Sequence, residues 1–299
     1  MTDAGRRQGR SEIVVLEHHA GFFTGVASSW RDVWNARGLL FELIASSIRT
    51  RYKNSKLGVL WSFARPLVQL LIYYFAIGQI LGVARAIPDF AIFVFIGLTV
   101  WALFGELINS MTTSVVDNAG IVKKVYFPRE LFPLSTVGTS VFNFLFQLAV
   151  LLLAVAVFGS VRWSWDLLLI PLAILTLIVF SLAIGLFLAA VNVRLRDVQH
   201  LVEVLLSVLF WASPIVYSFS FVQSALGSGL AMNLYMSNPV TLVVLALQKA
   251  LWSAGYEAGQ TWDGDFVLHL LITLLVSCVL LFFTHRYFLK MQGSFAQEL

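Results

Sequence analysis

The sequence has 299 residues, of which 59% are hydrophobic and only 12% are charged. A soluble domain has roughly 45–50% apolar and about 25% charged residues, so the composition excludes an ordinary soluble enzyme and indicates an integral membrane protein. The net charge of +4 says little by itself, and we expect no nucleic-acid partner. One cysteine excludes an intrachain disulfide, and the five histidines lack metal-ligand spacing, so no metal site is predicted.

Residues 1–29 have no clear apolar period and are predicted to form a cytoplasmic tail. Residues 30–50 carry apolar side chains at helical spacing, including Trp30, Trp34 and Ile44, with the charged side chains on other faces. This pattern fits an amphipathic helix in the membrane interface, with tryptophan at headgroup level. A soluble helix packed on the rest of the chain is the alternative. We favour the interface helix because a span follows directly.

Six apolar runs reach the length of about 20 residues that a membrane-spanning helix needs. The chain is therefore predicted to be all-α, with six transmembrane helices at 59–81, 90–113, 134–158, 167–191, 198–219 and 266–288. Most of the 20 lysines and arginines lie before the first span, in the second and fourth connections, and after the last span. The positive-inside rule then places both termini in the cytoplasm, with residues 291–299 as a C-terminal tail.

The connection at 220–265 is predicted to be external and to hold short helices before the last span. Ser237 or Asn238 can cap a helix whose first turn contains Pro239. The apolar run that follows is too short to cross a membrane, which favours a re-entrant or interfacial helix.

Polar side chains line single faces of several predicted spans. Interhelical hydrogen bonding is the simpler explanation for the hydroxyls and amides. A charge at depth costs at least about 2.5 kcal/mol, so we predict that Arg65 and Glu106 either pair or line a wet pathway. The faces of interest consist of Ser62, Arg65, Gln69 and Tyr73 in the first span, Glu106 in the second, and Ser207, Phe210 and Trp211 in the fifth.

The sequence contains no phosphate-binding loop, no H-E-x-x-H and no G-x-S-x-G. We therefore predict no catalytic residue, and any ATP that drives this protein must be bound by another chain. The basic, amphipathic connection at 118–133 has two interpretations that periodicity does not separate. It is either a segment on the lipid surface or one that docks on another protein.

Four stretches occur in order: RYKNSKLGVLWSFARPLVQLLIYY at 51–74, IVKKVYFPRELFPLS at 121–135, NVRLRDVQH at 192–200 and FWASPIVYS at 210–218. Together with the six-span layout, they resemble the permease subunits of bacterial ABC exporters for cell-envelope polysaccharides. That family includes the exporters of O-antigen, wall teichoic acid and mycobacterial galactan. The resemblance covers residues 30–290.

The resemblance implies that two copies of this chain pair with two copies of a separate nucleotide-binding ATPase. That subunit would bind ATP and Mg²⁺, and no cofactor is expected in this chain. Residues 121–131 would form a coupling helix that docks on the ATPase, and residues near 194–197 a second contact. The coupling residues implied are Ile121, Lys123, Lys124, Val125, Tyr126, Phe127, Pro128, Arg129, Glu130, Arg194, Arg196 and Asp197.

The resemblance also implies ATP-driven export of an undecaprenyl diphosphate-linked glycan, with galactan and O-antigen as candidate cargoes. The glycan would cross the bacterial inner membrane through a pore between the permeases, lined largely by the first and fifth spans. Aromatic residues there, Tyr217 among them, offer faces to sugar rings, although packing is the simpler explanation for any one of them. A basic entrance would suit the diphosphate electrostatically and consists of Arg49, Arg51, Lys53 and Lys56.

Three other functions stay open at this point. An ABC permease for a small lipophilic drug or haem shares the architecture. An ion-coupled secondary transporter would have inverted repeats and acids near the midplane, neither of which is clear. A membrane transferase would need acids clustered on an outer loop, where Asp263 and Asp265 are thin support.

Overall fold

The computed structural model describes residues 24–53, 60–124, 127–158, 164–227, 229–257 and 266–299. Within these ranges the chain forms helices joined by turns and contains no strand. The α-helices, in chain order, are α1 (Thr24–Asn35), α2 (Arg37–Tyr52), α3 (Leu60–Tyr73), α4 (Phe90–Asp117), α5 (Ala119–Val122), α6 (Leu131–Phe158), α7 (Leu169–Arg194), α8 (Val198–Trp211), α9 (Phe219–Leu226), α10 (Leu230–Met236), α11 (Pro239–Leu251), α12 (Ser253–Glu257), α13 (Phe266–Met291) and α14 (Phe295–Glu298).

Five helical stretches in the described ranges are long and apolar enough to cross a membrane: α3 with its continuation to Ile80, α4, α6, α7 with the short 3₁₀ turn before it, and α13 with the 3₁₀ turn after it. A sixth crossing is counted if α10 and α11, bent by 74° at their junction, form one span. The protein is therefore a multi-pass helical membrane protein. The long apolar runs of the sequence predicted the positions of these five stretches.

Helix α4 lies at the centre of the bundle and packs against α3, α6, α7, α8 and α11. Its buried side chains include Phe93, Leu103, Leu107 and Met111, all at most 1% exposed. Because α4 is apolar around most of its circumference, it is stable only with neighbours on several sides. The helices that pack on it carry the groove described below.

The first span changes its winding near its C-terminal end. Helix α3 runs through Pro66 and continues beyond Tyr73 as a π-helical segment, Tyr74–Ile80. A π-helix is rare and is frequently found at functional sites. The stretch as a whole agrees with the predicted span at 59–81, apart from residue 59, which lies outside the described residues.

The predicted fifth span at 198–219 is wrong in its second half, because α8 ends at Trp211. Pro214 has no N–H to continue a helix, and its ring disfavours helical backbone before it. Side chains bond the carbonyls of this turn, with Gln248 Nε2 donating to Pro214 O (3.1 Å) and Tyr217 OH to Trp211 O (2.8 Å). A 14-residue helix is about 21 Å long, shorter than the hydrocarbon core of about 30 Å.

The turn after α8 is buried against α4. Ser213 and Ile215 are fully buried, and Gly97 of α4 provides the space for them. A Cβ atom at position 97 would lie only 2.9 Å from Ile215 Cα. Asn238 Nδ2 also donates to Ser213 Oγ (3.3 Å), which ties the turn to the start of α11.

Helix α11 lies inside the bundle, packed on α7 and α4. Asn238, one of the two predicted caps, accepts from Val240 N (3.0 Å), and every residue from Val240 to Leu251 except Lys249 is buried. Lys249, near its C-terminal end, lies 3.6 Å from Asp166 Oδ1.

Both predicted tails need correction. Helix α1 begins at Thr24, so residues 24–29 are not part of a tail, because Val26, Ser29 and Val33 form a buried face that packs near α13. The predicted interface helix at 30–50 is divided into α1 and α2 at Ala36. The predicted C-terminal tail folds as well, because Phe295 is fully buried.

Candidate functional site

A polar groove runs along α3, α4 and α8. It consists of two adjoining cavities of about 600 Å³ and 390 Å³, which share Gln69 and Asn109. The larger is lined by Arg51, Tyr52, Trp61, Ser62, Pro66, Gln69, Ala102, Glu106, Asn109, Ser110, Asn143 and Gln147. The smaller is lined by Gln69, Tyr73, Trp101, Gly105, Asn109, Glu203, Leu206, Ser207, Phe210 and Trp211.

A network of hydrogen bonds crosses the larger cavity and joins α2, α3, α4 and α6. Glu106 Oε1 accepts from Arg51 Nη1 (2.9 Å) and from Asn143 Nδ2 (2.7 Å). Tyr52 OH donates to Asn143 Oδ1 (3.3 Å) and shares a hydrogen bond of 2.7 Å with Ser62 Oγ. The Glu106 carboxylate is therefore balanced by the cation of Arg51. The side chain of Arg65 lies outside the described part, so its pairing with Glu106 stays a prediction.

Four other polar side chains of the groove behave differently. Gln69, Asn109, Ser110 and Gln147 make no hydrogen bond within the described residues. Interhelical bonding, the simpler explanation from the sequence, is therefore not seen for them within the described part of the chain. Relative to those residues, their amide and hydroxyl groups are open to water or to a ligand in the groove.

The smaller cavity has an aromatic wall. Phe210 is at its centre, with ring centroids 6.0 Å from Tyr73, 5.4 Å from Trp101 and 5.4 Å from Trp211. Trp211 is 58% exposed, so one large ring is open to a ligand. Ser207, also predicted, lines this cavity but donates to the carbonyl of Glu203 in its own helix (3.0 Å).

Seven of the predicted channel-lining residues thus gather around one groove: Ser62, Gln69, Tyr73, Glu106, Ser207, Phe210 and Trp211. Tyr217 lines neither cavity and instead donates to the carbonyl of Trp211.

The predicted basic entrance is only partly assembled around the groove. Arg51 lines the larger cavity, whereas Arg49 lies 3.7 Å from Glu42 on the exposed face of α2. Lys53 is exposed, and Lys56 lies outside the described residues.

The helix predicted at 121–131 is not found as such. Only Ala119–Val122 is helical, residues 123–124 and 127–130 form turns, and Val125 and Tyr126 lie outside the described residues. Pro128 explains the difference, since it lacks an N–H and disfavours helical backbone at Phe127. Ile121, Lys123 and Lys124 are exposed, whereas Phe127, Pro128 and Arg129 are half-buried.

Glu130, predicted as a docking residue, is buried at 2% exposure. Its Oε1 accepts from Ser29 Oγ (2.6 Å) and lies 3.8 Å from His285 Nε2. Burial raises the pKa of Glu130, but the nearby His285 and the hydrogen bond from Ser29 lower it by more, so the pKa of this carboxyl lies below its ordinary value. This cluster, the Glu130 cluster, ties α1, α6 and α13 together.

The second predicted contact, at residues 194–197, is exposed and is hydrogen-bonded to the last described residues of the chain. Arg194 Nε donates to both carboxylate oxygens of Glu298 (2.8 and 3.0 Å), and Arg196 Nη2 to the main-chain oxygen of Leu299 (3.5 Å). The guanidinium of Arg129 lies over the Phe295 ring at 6.0 Å. Residues 295–299, the C-terminal clasp, thus contact both connections expected to meet an ATPase. Asp197 is exposed beside them.

A family profile described as ABC-2 type transporter matches residues 38–252, most of the chain. This chain belongs to the ABC-2 type transporter family. The groove, both predicted cytoplasmic contacts and α11 all lie within the matched range, whereas the C-terminal clasp lies beyond it.

Several proteins are similar to this ABC-2 type transporter over most of its length. The O-antigen export system permease protein RfbA of Myxococcus xanthus is 30% identical over 270 residues, covering 90% of this chain and 98% of the relative. RfbA of Klebsiella pneumoniae is 32% identical over 188 residues, or 60% and 71% of the two chains. The polysialic acid transport protein KpsM of Escherichia coli is 26% identical over 244 residues, or 80% and 90%.

Several groove residues of this ABC-2 type transporter were not predicted. Tyr52 stands between two basic residues in the sequence, so nothing marked it as part of a network. Asn109, Asn143 and Gln147 lie on polar helix faces that the sequence does show, and they were attributed to interhelical bonding, which is correct for Asn143. The sequence does not show which of these side chains have hydrogen-bond partners. Asn143 bonds to groups 37 and 91 residues away, whereas Asn109 and Gln147 bond to none among the described residues.

Proposed function

We propose that this chain is the permease subunit of an ATP-driven exporter that moves a cell-envelope polysaccharide out of the cytoplasm. One observation carries the proposal: a polar groove runs along α3, α4 and α8 of an apolar bundle, and it exposes amide and hydroxyl groups that have no partner among the described residues. Such groups suit the hydroxyls of a sugar chain. The names of the relatives, O-antigen export permease and polysialic acid transport protein, agree with this chemistry.

The cargo that we propose is lipid-linked, with an undecaprenyl diphosphate anchor that stays near the cytoplasmic interface. Arg49, Lys53 and Lys56 would attract the diphosphate, and Arg51 would stand between this entrance and the groove. The charge of the diphosphate matches basic side chains at an interface. The aromatic wall around Phe210 then offers ring faces to the sugars that follow.

The energy source that we propose is a separate ATPase subunit, which binds ATP and Mg²⁺. The exposed side chains of Ile121, Lys123 and Lys124, together with Arg194 and its neighbours, would form its docking surface. Two permeases and two ATPases would assemble, with the groove of each permease facing the other. The open side of α3 and α8, which carries large exposed apolar side chains such as Trp61 and Val204, supports this arrangement.

We propose an inner-membrane location with both ends of the chain in the cytoplasm. The strongly basic connections support this orientation through the positive-inside rule. The buried α11 would be a re-entrant helix that completes the outer half of the crossing begun by α8, which explains why neither helix is long enough alone.

Depletion of the protein in its own host tests the function. We expect loss of an envelope glycan and accumulation of its lipid-linked precursor inside the cell. The purified protein should also bring down an ATPase subunit. Normal glycan together with lost drug resistance or altered haem handling would contradict the proposal.

The docking surface is tested separately by the double change Lys123→Glu and Lys124→Glu. We expect ATPase co-purification to fall several-fold, because the basic face would become acidic. Arg37→Glu is the matched control, since Arg37 is equally exposed but lies on α2. An unchanged yield of ATPase with the double variant would exclude this surface.

A further inference from the structure

The charges of the groove are few and unevenly distributed. Among the described lining side chains the acids are Glu106 and Glu203, and the one strong base is Arg51. The lining therefore carries a net negative charge. Arg65 belongs to the polar face of α3 in the sequence, but its side chain lies outside the described part. If its charge were counted, the net charge of the lining would be zero. In neither case is the groove basic.

Arg51 is also already committed. Its guanidinium lies 2.9 Å from Glu106 Oε1, and that same oxygen accepts from Asn143. A second anion could still accept from the other N–H groups of the guanidinium, but it would meet an ion pair of zero net charge instead of a free cation. Glu203 has no such partner close by, since its contact is His200 at 3.9 Å and both side chains are about two-thirds exposed.

The remaining polar groups of the groove are uncharged. Gln69 and Asn109 lie where the two cavities meet, and Ser110 and Gln147 line the larger one. A primary amide offers two donors and an acceptor, and a hydroxyl offers both roles. These groups match sugar hydroxyls, which also donate and accept, better than they match carboxylates, which only accept.

We propose that this groove is a binding site for the hydroxyl groups of uncharged sugar residues, so that the exporter carries a neutral polysaccharide and discriminates against a polyanionic one. This inference rests on the proposed function and narrows its substrate class. The proposed cargo differs from the one in the name of the polysialic acid transport protein KpsM, because polysialic acid carries a carboxylate on each residue. The basic entrance and the non-basic groove then divide the cargo: the diphosphate stays at the interface and the glycan occupies the groove.

The physical basis is electrostatic. Inside a protein the effective dielectric constant is well below that of water, so like charges repel more strongly than they do in solution. Glu106 is already balanced by Arg51, so each carboxylate of a polyanionic chain would pass the charge of Glu203 with no unpaired cation among the described lining residues to offset it. A neutral chain meets no such repulsion, and its hydroxyls can exchange hydrogen bonds with water for hydrogen bonds with these amides.

The test uses the complete complex with its ATPase, reconstituted in liposomes. Two undecaprenyl diphosphate-linked oligosaccharides of equal length serve as probes, one of neutral hexoses and one of hexuronic acids with a carboxylate on each residue. We expect the neutral probe to stimulate ATP hydrolysis at a concentration at least tenfold lower. Equal or stronger stimulation by the hexuronic acid probe would overturn the inference. No stimulation by either probe would instead refute the proposed function.

Two changes at Gln147 separate charge from hydrogen bonding. Gln147→Leu removes one hydrogen-bonding group and should raise the half-maximal concentration of the neutral probe by about two- to tenfold, with no gain for the anionic one. Gln147→Lys adds a cation and should improve stimulation by the anionic probe. Each variant is first checked for ATPase co-purification. Unchanged responses to both probes in both variants would also overturn the inference.

Discussion

At the scale of single residues, Glu106 shows how the bundle accommodates a charge. The carboxylate accepts from Arg51 and Asn143, so α2, α4 and α6 meet at one oxygen. The double-mutant cycle of Arg51→Ala and Glu106→Ala should reveal coupling in ATP-driven glycan export. Because Arg51 is half exposed, water weakens the pair, and we expect a deviation from additivity of about two- to fivefold.

The control cycle combines Glu106→Ala with Arg49→Ala. Arg49 lies on the same helix but faces Glu42, so its effect should add to that of Glu106 without coupling. Strict additivity in the Arg51 cycle would mean that this ion pair has no role in export.

The Glu130 cluster makes a prediction about pH. The folded carboxyl has a pKa below its ordinary value of 4.5, so its interactions stabilise the protein above that pH and are lost as the pH falls through the folded pKa. Ser29→Ala should cost about 1–3 kcal/mol at neutral pH and lower the thermal midpoint in detergent by several degrees. The difference in thermal midpoint between this variant and the wild type should become smaller below pH 4.5.

Ser47→Ala, at an exposed position of α2, is the control and should leave the midpoint unchanged. A pH-independent difference between wild type and Ser29→Ala would refute the assigned role of the carboxylate.

At the scale of elements, the C-terminal clasp is expected to hold the two cytoplasmic contacts in position. Glu298→Arg should raise the ATP hydrolysis that proceeds without export, because Arg194 then faces a like charge. Combining it with Arg194→Glu restores an ion pair and should recover at least half of the lost coupling. The measurement is the ratio of exported glycan to hydrolysed ATP.

Gln297→Ala, at an exposed neighbouring position, should behave like the wild type. If the reversed pair performs no better than either single change, the contact between Arg194 and Glu298 does not govern coupling.

The sequence predicted the long helices well because a run of about 20 apolar residues has few alternatives in a membrane. It failed at α8, where the apolar run continues past Trp211 into the buried turn. Pro214 indicated a possible end of the helix. The side chains that stabilise the turn after it by hydrogen bonds, Gln248 and Asn238, come much later in the chain. The same holds at Glu130, whose partners Ser29 and His285 are distant in sequence. Helical spacing identified polar faces, but not which of their groups have partners.

At the scale of the whole molecule, the groove is open along α3 and α8, and a second copy of the chain is proposed to close it. Val204 lies on that exposed side of α8 at 62% exposure. With the native Cys278 replaced by serine, Val204→Cys should give a disulfide-linked dimer in membranes under mild oxidation.

Cys278 in the wild type provides the control. It is exposed on α13, which contributes no residue to either cavity, and it should not cross-link copies under the same conditions. Efficient cross-linking through Cys278, with none through position 204, would place the second copy on the other side.

The enclosure of α11 has a consequence for how the protein is made. The helix is about 20 Å long, too short to insert into a bilayer as an independent segment, and its buried Gln248 finds its acceptor only in the turn after α8. We therefore expect α11 to insert after α4 and α7, the helices on which it packs. The order of synthesis agrees with this expectation, since α11 leaves the ribosome after those two helices. A chain interrupted before Asn238 would leave uncovered the surfaces of α4 and α7 that contact α11, and we expect it to be degraded by membrane quality control.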